Sequence, residues 1–251
     1  MNDPYGFSLK WFPGELNHDT GFHKILSAKI PAWGKLLDLG CGANDSLARY
    51  RTPCLEVWGT DFKAHSELKN AEWFRPLHGD GTIPFSNDTF DLVSSFMVME
   101  HVASPARFFG EIARVLQPNG LYLGQSIHSL HYVTWIRRML DLVPHRWVQC
   151  LVKKLYGREE HDTFPTRYRL NRRGTIARVA QTTNLEWVGW HGYASQGYFA
   201  FSPALFRLAV IFDWCLERIY PGLGKIYFTV ILQKSSSLVD AGKALKTSQA
   251  A

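Results

Sequence analysis

The chain has 251 residues, 46% hydrophobic and 20% charged, so it cannot be disordered throughout, and its 20 Gly and 12 Pro are too few for a collagen-like polymer. The formal charge of +6 is concentrated in one segment, because residues 130–180 contain eleven basic and four acidic side chains, against 17 and 18 in the rest of the chain. This segment suits an anionic partner, such as a phosphorylated or carboxylated substrate, a lipid headgroup or nucleic acid.

Apolar periodicity in the first half predicts helices that alternate with strands. The predicted helices are 18–30, 46–51, 65–70 and 105–116, and the predicted strands are 35–39, 55–60, 72–77, 90–96 and 121–127. Short alternating elements of this kind indicate βαβ units, and therefore a parallel sheet with helices on both faces. The predicted fold class is an α/β sandwich.

The second half of the chain has a different apolar periodicity. A helical stripe covers 131–156 and is interrupted by Pro144, so we interpret residues of about 128–172 as a helical insert that could form a lid or acceptor site. A helix at 172–183, a strand at 185–191, an apolar helix at 204–219 and a last strand at 225–233 follow. We predict one domain over 1–234 and a flexible tail over 235–251.

The lack of a secretory signal and the scattered cysteines predict a cytoplasmic protein. The first sixteen residues, MNDPYGFSLKWFPGEL, lack the basic start, apolar run and cleavage site of a secretory signal. The longest apolar tract, 205–212, contains Arg207 and is too short to span a bilayer. The four cysteines are scattered without a CxxC pair, which favours a reducing compartment.

The sharpest local motif is Leu36-Leu-Asp-Leu-Gly-Cys-Gly-Ala-Asn-Asp45, a buried strand that runs into a glycine turn. Gly40 and Gly42 leave room for a ligand to approach the backbone, as at Rossmann-like nucleotide sites. Asp45 occupies the position of the third glycine of a dinucleotide fingerprint, where its charge would repel a pyrophosphate. No Gly-Lys-Ser/Thr follows, so the turn is not a P-loop.

The sequence Asp38-Leu-Gly-Cys-Gly42 resembles the first motif of the class I S-adenosylmethionine (SAM) methyltransferases. Asn44 stands where many members have a third glycine, and Asn tolerates the left-handed conformation. The resemblance is closest to the quinone-biosynthesis-like small-molecule branch. It implies a Rossmann-like three-layer sandwich whose seven-stranded sheet is mostly parallel, with the last strand antiparallel.

Further motifs follow in the family's order over 36–127. Asp61 ends the second strand, where a carboxylate would accept hydrogen bonds from a ribose diol. The segment 78–85 resembles the adenine-binding motif, with Asp80 as the acceptor. Segment 90–102 resembles the fourth strand and its turn. The cofactor-binding residues implied by the resemblance are Asp38, Gly40, Cys41, Gly42, Asp61, Phe62, Asp80, Gly81, Ser95 and Phe96.

Methyl transfer to a hydroxyl group calls for a general base. The candidate catalytic residues are His101, His128, His161 and Tyr168, with His131 as a further candidate base and Arg167 as a candidate ligand of an anionic or sugar-like acceptor. Asp38 could instead cap the turn, His101 could simply pack, and Cys41 reads as a small buried residue rather than a nucleophile. The spacing of histidines and carboxylates predicts no metal site.

Three functional classes stay open. The first is a SAM-dependent methyltransferase acting on a small anionic or amphipathic molecule: a sugar, a lipid-linked intermediate, a quinone or another secondary metabolite. The second is a nucleic-acid methyltransferase that uses the basic segment, although Ser95-Phe-Met-Val lacks the Asn/Asp-Pro-Pro-Tyr/Phe motif and no RNA-binding module is evident, which disfavours nucleic acid. The third is a non-catalytic SAM-binding protein. Peripheral membrane contact and a homodimer are further expectations to be tested.

Overall fold

The computed structural model describes residues 4–140, 165–194 and 197–236. Six strands form one sheet in the order β2-β1-β3-β4-β6-β5. Their bounds are β1 Gly34–Leu39, β2 Leu55–Thr60, β3 Phe90–Phe96, β4 Leu116–Ile127, β5 Leu185–Tyr193 and β6 Tyr227–Lys234. β2, β1, β3 and β4 are parallel, and β6 runs antiparallel to β4 and β5. The mostly parallel sheet and its antiparallel last strand are confirmed.

Six α-helices accompany the sheet in the described residues. They are α1 Pro4–Trp11, α2 His18–Lys29, α3 Pro105–Val115, α4 Tyr132–Leu140, α5 Arg173–Thr182 and α6 Pro203–Ile219. Proline lies in the first turn of α3 and of α6, where the missing N–H costs no hydrogen bond. The helix α1 was not predicted, and it packs against α6.

Alternate residues of the strands enter two separate hydrophobic cores. In β1, Leu36 packs with Phe22 and Leu26 of α2, whereas Leu37 packs on the opposite side of the sheet. That second core contains Phe109 and Ile112 of α3 and Ile176 and Ala180 of α5. Helices therefore cover both faces, which confirms the three-layer sandwich.

Two predicted elements between β2 and β3 are wrong. The expected strand 72–77 is a single 3-10 turn, Ala71–Trp73, followed by extended chain. Arg75 N and Leu77 N donate to Gly59 O and Asp61 O, so this segment lies along the free edge of β2 without forming a strand, and the described sheet has six strands rather than seven. The expected helix 65–70 is absent, because a six-residue helix is too short to form without strong tertiary support.

The remaining differences are smaller. The expected helix 46–51 is a 3-10 turn over Ala48–Tyr50, and the residues of α3 that are buried are Phe109, Ile112, Ala113 and Val115. Of the expected insert over 128–172, residues 141–164 lie outside the described residues, as do residues 237–251 of the expected tail. Across the described ranges, every helix is too short or too polar to span a membrane.

Candidate cofactor and acceptor site

The four parallel strands end at the same edge of the sheet, and the residues singled out by the motifs lie there. The glycine turn follows β1, Asp61 follows β2, and Phe96 ends β3. β1 is flanked by β2 on one side and β3 on the other, so the chain order reverses at β1. Open α/β sheets bind their ligands in the crevice at such a switch point.

The glycine turn is built from backbone conformations that most side chains disfavour. Gly40 has φ +81, Gly42 has φ +52 and Asn44 has φ +56, so Asn44 takes the left-handed conformation expected from the sequence. Gly40 N and Cys41 N both donate to Thr60 O, at 2.8 and 3.2 Å, which ties the turn to the end of β2. A Cβ atom on Gly42 would meet no atom within 4 Å, so this side of the turn is open to a ligand.

Asp61 is held against the glycine turn. Its Oδ2 accepts a hydrogen bond from Gly42 N at 3.0 Å, and its Oδ1 accepts one from Phe62 N at 2.7 Å. Each carboxylate oxygen has a second lone pair that can accept a hydroxyl hydrogen. The geometry therefore fits the expected contact with a ribose diol. The adjacent Phe62 ring is exposed.

Asp38 is a buried carboxyl group close to Asp61. Burial and the charge of Asp61 together raise the pKa of Asp38 to about 7. Two carboxyl groups beside a glycine turn disfavour a pyrophosphate and suit a ligand that carries positive charge, as SAM does on its sulfonium and ammonium groups. The residues present therefore fit SAM better than a dinucleotide.

The raised pKa of Asp38 predicts a pH-dependent stability. Asp38 binds its proton more tightly in the folded chain, where its pKa is about 7, than in the unfolded chain, where its pKa is 3.8. The contribution of Asp38 to the free energy of unfolding therefore falls as the pH rises from 3.8 to about 7. We expect the free energy of unfolding of Asp38→Asn, relative to wild type, to rise by about 2 kcal/mol between pH 5 and pH 7.5. Urea denaturation without cofactor measures it, with the exposed Asp45→Asn as control. A difference in unfolding free energy between Asp38→Asn and wild type that does not change with pH would contradict the raised pKa of Asp38.

The Asp80 carboxylate already has partners at the far side of the crevice. It accepts hydrogen bonds from Thr82 N and Thr82 Oγ1, both at 3.0 Å, and from Arg107, and these contacts lower its pKa to about 2. Gly81 has φ +85, so the loop needs glycine there. Contact between Asp80 and an adenine amino group stays a prediction.

Cys41 and Ser95 point into the protein. Cys41 is buried, and burial together with the nearby Asp38 and Asp61 raises the pKa of its thiol, so a thiolate nucleophile is disfavoured. The Ser95 hydroxyl is fully buried and 2.7 Å from the Tyr122 hydroxyl. The Ser95 side chain therefore lies beneath the crevice, and cofactor contact from it is not supported.

Aromatic rings cluster where β3 ends and β6 begins. The His18 ring stacks on Tyr227 with 3.8 Å between centroids, and it lies 6.2 Å from Phe96. Tyr227 OH donates to Tyr198 OH at 2.9 Å. Burial lowers the pKa of His18, so this histidine behaves as a neutral ring at neutral pH. His18 and Tyr227 were not predicted as site residues, because only the fold brings the start of α2 next to β6.

A buried polar network lies under His101. Glu100 is 2% exposed and its Oε2 accepts a hydrogen bond from Ser126 Oγ at 2.6 Å, while Asn171 Nδ2 donates to the same Ser126 oxygen. Burial raises the pKa of Glu100. His101 Nδ1 is 3.2 Å from Pro165 O and its Nε2 is 4.0 Å from Glu100 Oε1. Glu100 was not predicted as part of the site, although its position next to His101 in the sequence could have indicated this network.

Loop 165–171 covers this network. Arg167 N and Tyr168 N donate to Glu100 O at 2.7 and 3.0 Å, so the Arg167 backbone joins the loop to the turn after β3. The Tyr168 side chain is buried, and Arg138 lies over its ring. A buried Tyr168 is a structural contact in this arrangement and a poor proton acceptor.

Two other candidate bases, His128 and His131, lie close together after β4. His128 is half-buried near Trp190 and Phe228, and burial with nearby His131 and Arg172 lowers its pKa to about 4, so it is a weak base. His131 is buried, with Nε2 3.3 Å from Asp213 Oδ1, and so is directed away from solvent. His161 lies outside the described residues. Among the described candidates, His101 follows the end of β3 and its side chain is partly exposed.

Residues 37–124 match the protein family described as the methyltransferase domain. These residues contain the glycine turn, Asp61, Asp80 and His101, and Asp61 is hydrogen-bonded to the glycine turn. Residues 37–124 are therefore similar to a methyltransferase domain, as the motifs predicted.

Two curated relatives share this methyltransferase domain. A ubiquinone biosynthesis O-methyltransferase of Cereibacter sphaeroides is 28% identical over 147 residues, and a demethylmenaquinone methyltransferase of Leptospira interrogans is 31% identical over 145 residues. The alignments cover 50% and 52% of this chain, and the chain spans 58% of the length of each relative.

A solved structure has the same fold. The geranyl diphosphate C-methyltransferase of Streptomyces coelicolor, in complex with Mg²⁺, geranyl-S-thiolodiphosphate and S-adenosyl-L-homocysteine, superimposes with a TM-score of 0.53 at 14% identity. The superposition covers 86% of this chain and 76% of that protein. At this identity the likeness concerns the fold alone.

Proposed function

We propose that the protein transfers a methyl group from SAM to a small amphipathic acceptor that contains a planar ring. The observation that carries the proposal is the pair Asp38 and Asp61 beside the open glycine turn, because two acidic groups at this place fit a cationic nucleoside cofactor. SAM supplies a methyl group already activated by the positive charge on sulfur. The protein therefore has to bind, align and desolvate the reactants, and alignment alone supplies several kcal/mol.

The aromatic rings support an acceptor with a flat apolar part. His18, Phe96 and the buried Tyr227 form a ring cluster at the carboxyl ends of β3 and β4, in which His18 and Phe96 are partly exposed. Such surfaces bind planar rings through offset stacking and edge contacts. The names of the two curated relatives, which refer to ubiquinone and demethylmenaquinone, agree with an acceptor of quinone-like chemistry.

The arginines of the basic segment favour a small molecule over nucleic acid. Arg172 donates to Ser129 Oγ, Arg169 donates to Ala103 O, and Arg173 lies over the Trp187 ring. Arg169, Arg172 and Arg173 are exposed, but each guanidinium group already has a partner within the chain, which reduces its freedom to bind phosphates. We also propose a cytoplasmic location, because Cys54 and Cys215 are exposed free thiols.

The test is an acceptor screen with wild type and His101→Gln. Wild type is expected to form S-adenosylhomocysteine with hydroxylated aromatic or quinol acceptors that carry an apolar chain. If His101 is the base for a hydroxyl acceptor, His101→Gln lowers kcat about tenfold or more, because the proton is no longer removed during attack. Its Kd for S-adenosylhomocysteine should stay within about twofold of wild type, because a base acts on the acceptor proton.

The exposed His191 on β5 provides the matched control, since His191→Gln should keep wild-type turnover. Wild-type turnover by His101→Gln would remove His101 from the mechanism and leave the proposed activity intact. Folded wild-type protein that fails to bind S-adenosylhomocysteine would overturn the proposed activity itself.

A further inference from the structure

Helix α6 has two apolar faces, and only one of them is buried. Phe206, Ala209 and Val210 face the protein, where Phe206 and Val210 pack with Phe12. The opposite stripe is exposed at intervals of three or four residues and consists of Leu205, Leu208, Phe212, Cys215 and Ile219. Leu208 is 63% exposed and Ile219 is 66% exposed. An apolar stripe of this length on an outer helix face marks an interaction surface.

Helix α4 extends the same surface. Its exposed apolar residues are Trp135, Ile136 and Met139, which recur at the helical spacing from Tyr132. The Tyr132 ring packs edge-on against Phe212, with 5.2 Å between centroids, so the stripes of α4 and α6 meet. The buried contact between His131 and Asp213 joins the two helices beneath this point. We call the exposed stripes of both helices the α4–α6 face.

The charges around the α4–α6 face are positive. Arg207 and Arg218 are exposed on α6, with their guanidinium groups over the rings of Phe7 and Trp214, and Lys10 is exposed on the adjoining helix α1. The two acids of α6 do not reach the surface freely, because Asp213 is buried and Glu217 accepts hydrogen bonds from Gly222 N and Gly224 N. Within the described part of α4 and α6, no acidic side chain is exposed.

We propose that the α4–α6 face docks on an anionic lipid bilayer. A helix with an apolar stripe of Leu, Phe and Trp and flanking Arg or Lys lies in the plane of a membrane interface, where its apolar side chains enter the acyl boundary and its cations meet phosphates. A bilayer fits irregular protruding side chains without a complementary pocket. A second copy of the chain fits less well, since a two-fold contact would bring like charges together.

This orientation bears on the proposed acceptor. β4 ends at Ile127 and the chain enters α4 at Tyr132, so the α4–α6 face adjoins the strand ends where the crevice lies. A bilayer bound there would present an amphipathic acceptor beside the crevice. This last step rests on the proposed function, whereas vesicle binding does not depend on methyl transfer.

The test is flotation of the full chain with vesicles of phosphatidylcholine, with and without phosphatidylglycerol. We expect wild type to float with the anionic vesicles, about tenfold more strongly than with neutral ones, and to be released as salt rises. Leu208→Glu and Met139→Glu should abolish flotation, because each places a negative charge on the exposed face without disturbing the core. Trp33→Glu is the matched control, since Trp33 is 73% exposed and belongs to the loop before β1.

Absence of wild-type flotation with either vesicle would overturn the membrane proposal. So would a wild-type dimer that Leu208→Glu converts to a monomer, because a second copy would then occupy the face. Binding of S-adenosylhomocysteine is measured on the same preparations. A chain that binds this nucleoside but does not float separates failure of the membrane surface from failure of the proposed function.

Discussion

Replacing Asp61 with alanine is expected to reduce the affinity for S-adenosylhomocysteine about a hundredfold or more. In the proposed ribose site, Asp61 would accept two charge-assisted hydrogen bonds from the ribose hydroxyls, each worth about 1.5–3 kcal/mol, and the variant cannot form them. It also leaves Gly42 N and Phe62 N without the acceptor that shapes the glycine turn. Isothermal titration calorimetry measures the change directly.

Two further variants separate the ribose contact from damage to the turn. Asp61→Asn keeps one acceptor oxygen and the side-chain shape, so it should retain more affinity than Asp61→Ala. Asp45→Asn should bind like wild type, because Asp45 lies in the same turn but is exposed and paired with Lys69 at 2.7 Å. Wild-type affinity in a folded Asp61→Ala protein would contradict the assignment of the ribose site.

The strands were predictable because their burial is dictated locally. The apolar segments 55–60 and 90–96 are bounded by polar turns, and both strands of the structure have those bounds. The glycine turn and Asp61 followed from the same logic, since residues that end parallel strands meet at one sheet edge. Local sequence was therefore enough to predict that the glycine turn and Asp61 lie together at this edge of the sheet, and the family resemblance supplied their expected role.

The segment 65–77 was not predictable for the opposite reason. Its path is fixed by contacts with distant chain: Lys69 N donates to Ala43 O, and the side chains of Asn44 and Asn70 each donate to the other residue's carbonyl. No periodicity in the segment reports these contacts. The weak intrinsic preference of a short polar stretch gives way to such tertiary hydrogen bonds.

The acceptor side of the site depends on long-range packing in the same way. His18 belongs to α2, yet its ring stacks on Tyr227 of β6. Glu100 is buried beneath loop 165–171, which lies at the end of the predicted insert. Neither neighbour can be inferred from spacing, so the sequence could propose His101 but not the rings and carboxyl group around it.

Gly40→Ala tests the most tightly packed position of the glycine turn. A Cβ atom at residue 40 would lie 2.3 Å from Val98 Cγ2, and the φ of +81 is strained for any residue with a side chain. We expect the free energy of unfolding to fall by about 3 kcal/mol, from overpacking and backbone strain together. The turn should also lose its shape, so binding of S-adenosylhomocysteine should weaken. Urea denaturation and calorimetry measure the two effects.

Comparison with Gly42→Ala divides the loss into its causes. Gly42 also has positive φ, but its added Cβ would meet no atom within 4 Å, so strain alone predicts a loss of about 1 kcal/mol. The double variant Gly40→Ala/Val98→Ala removes the colliding methyl group. The double variant should lose less unfolding free energy than Gly40→Ala and Val98→Ala together, by about 1 kcal/mol or more, because residues 40 and 98 are in direct contact. Two results would contradict this account: additive losses of unfolding free energy for Gly40→Ala and Val98→Ala, or equal losses for Gly40→Ala and Gly42→Ala. Either would show that the contact with Val98, in the turn after β3, does not fix the conformation of the glycine turn.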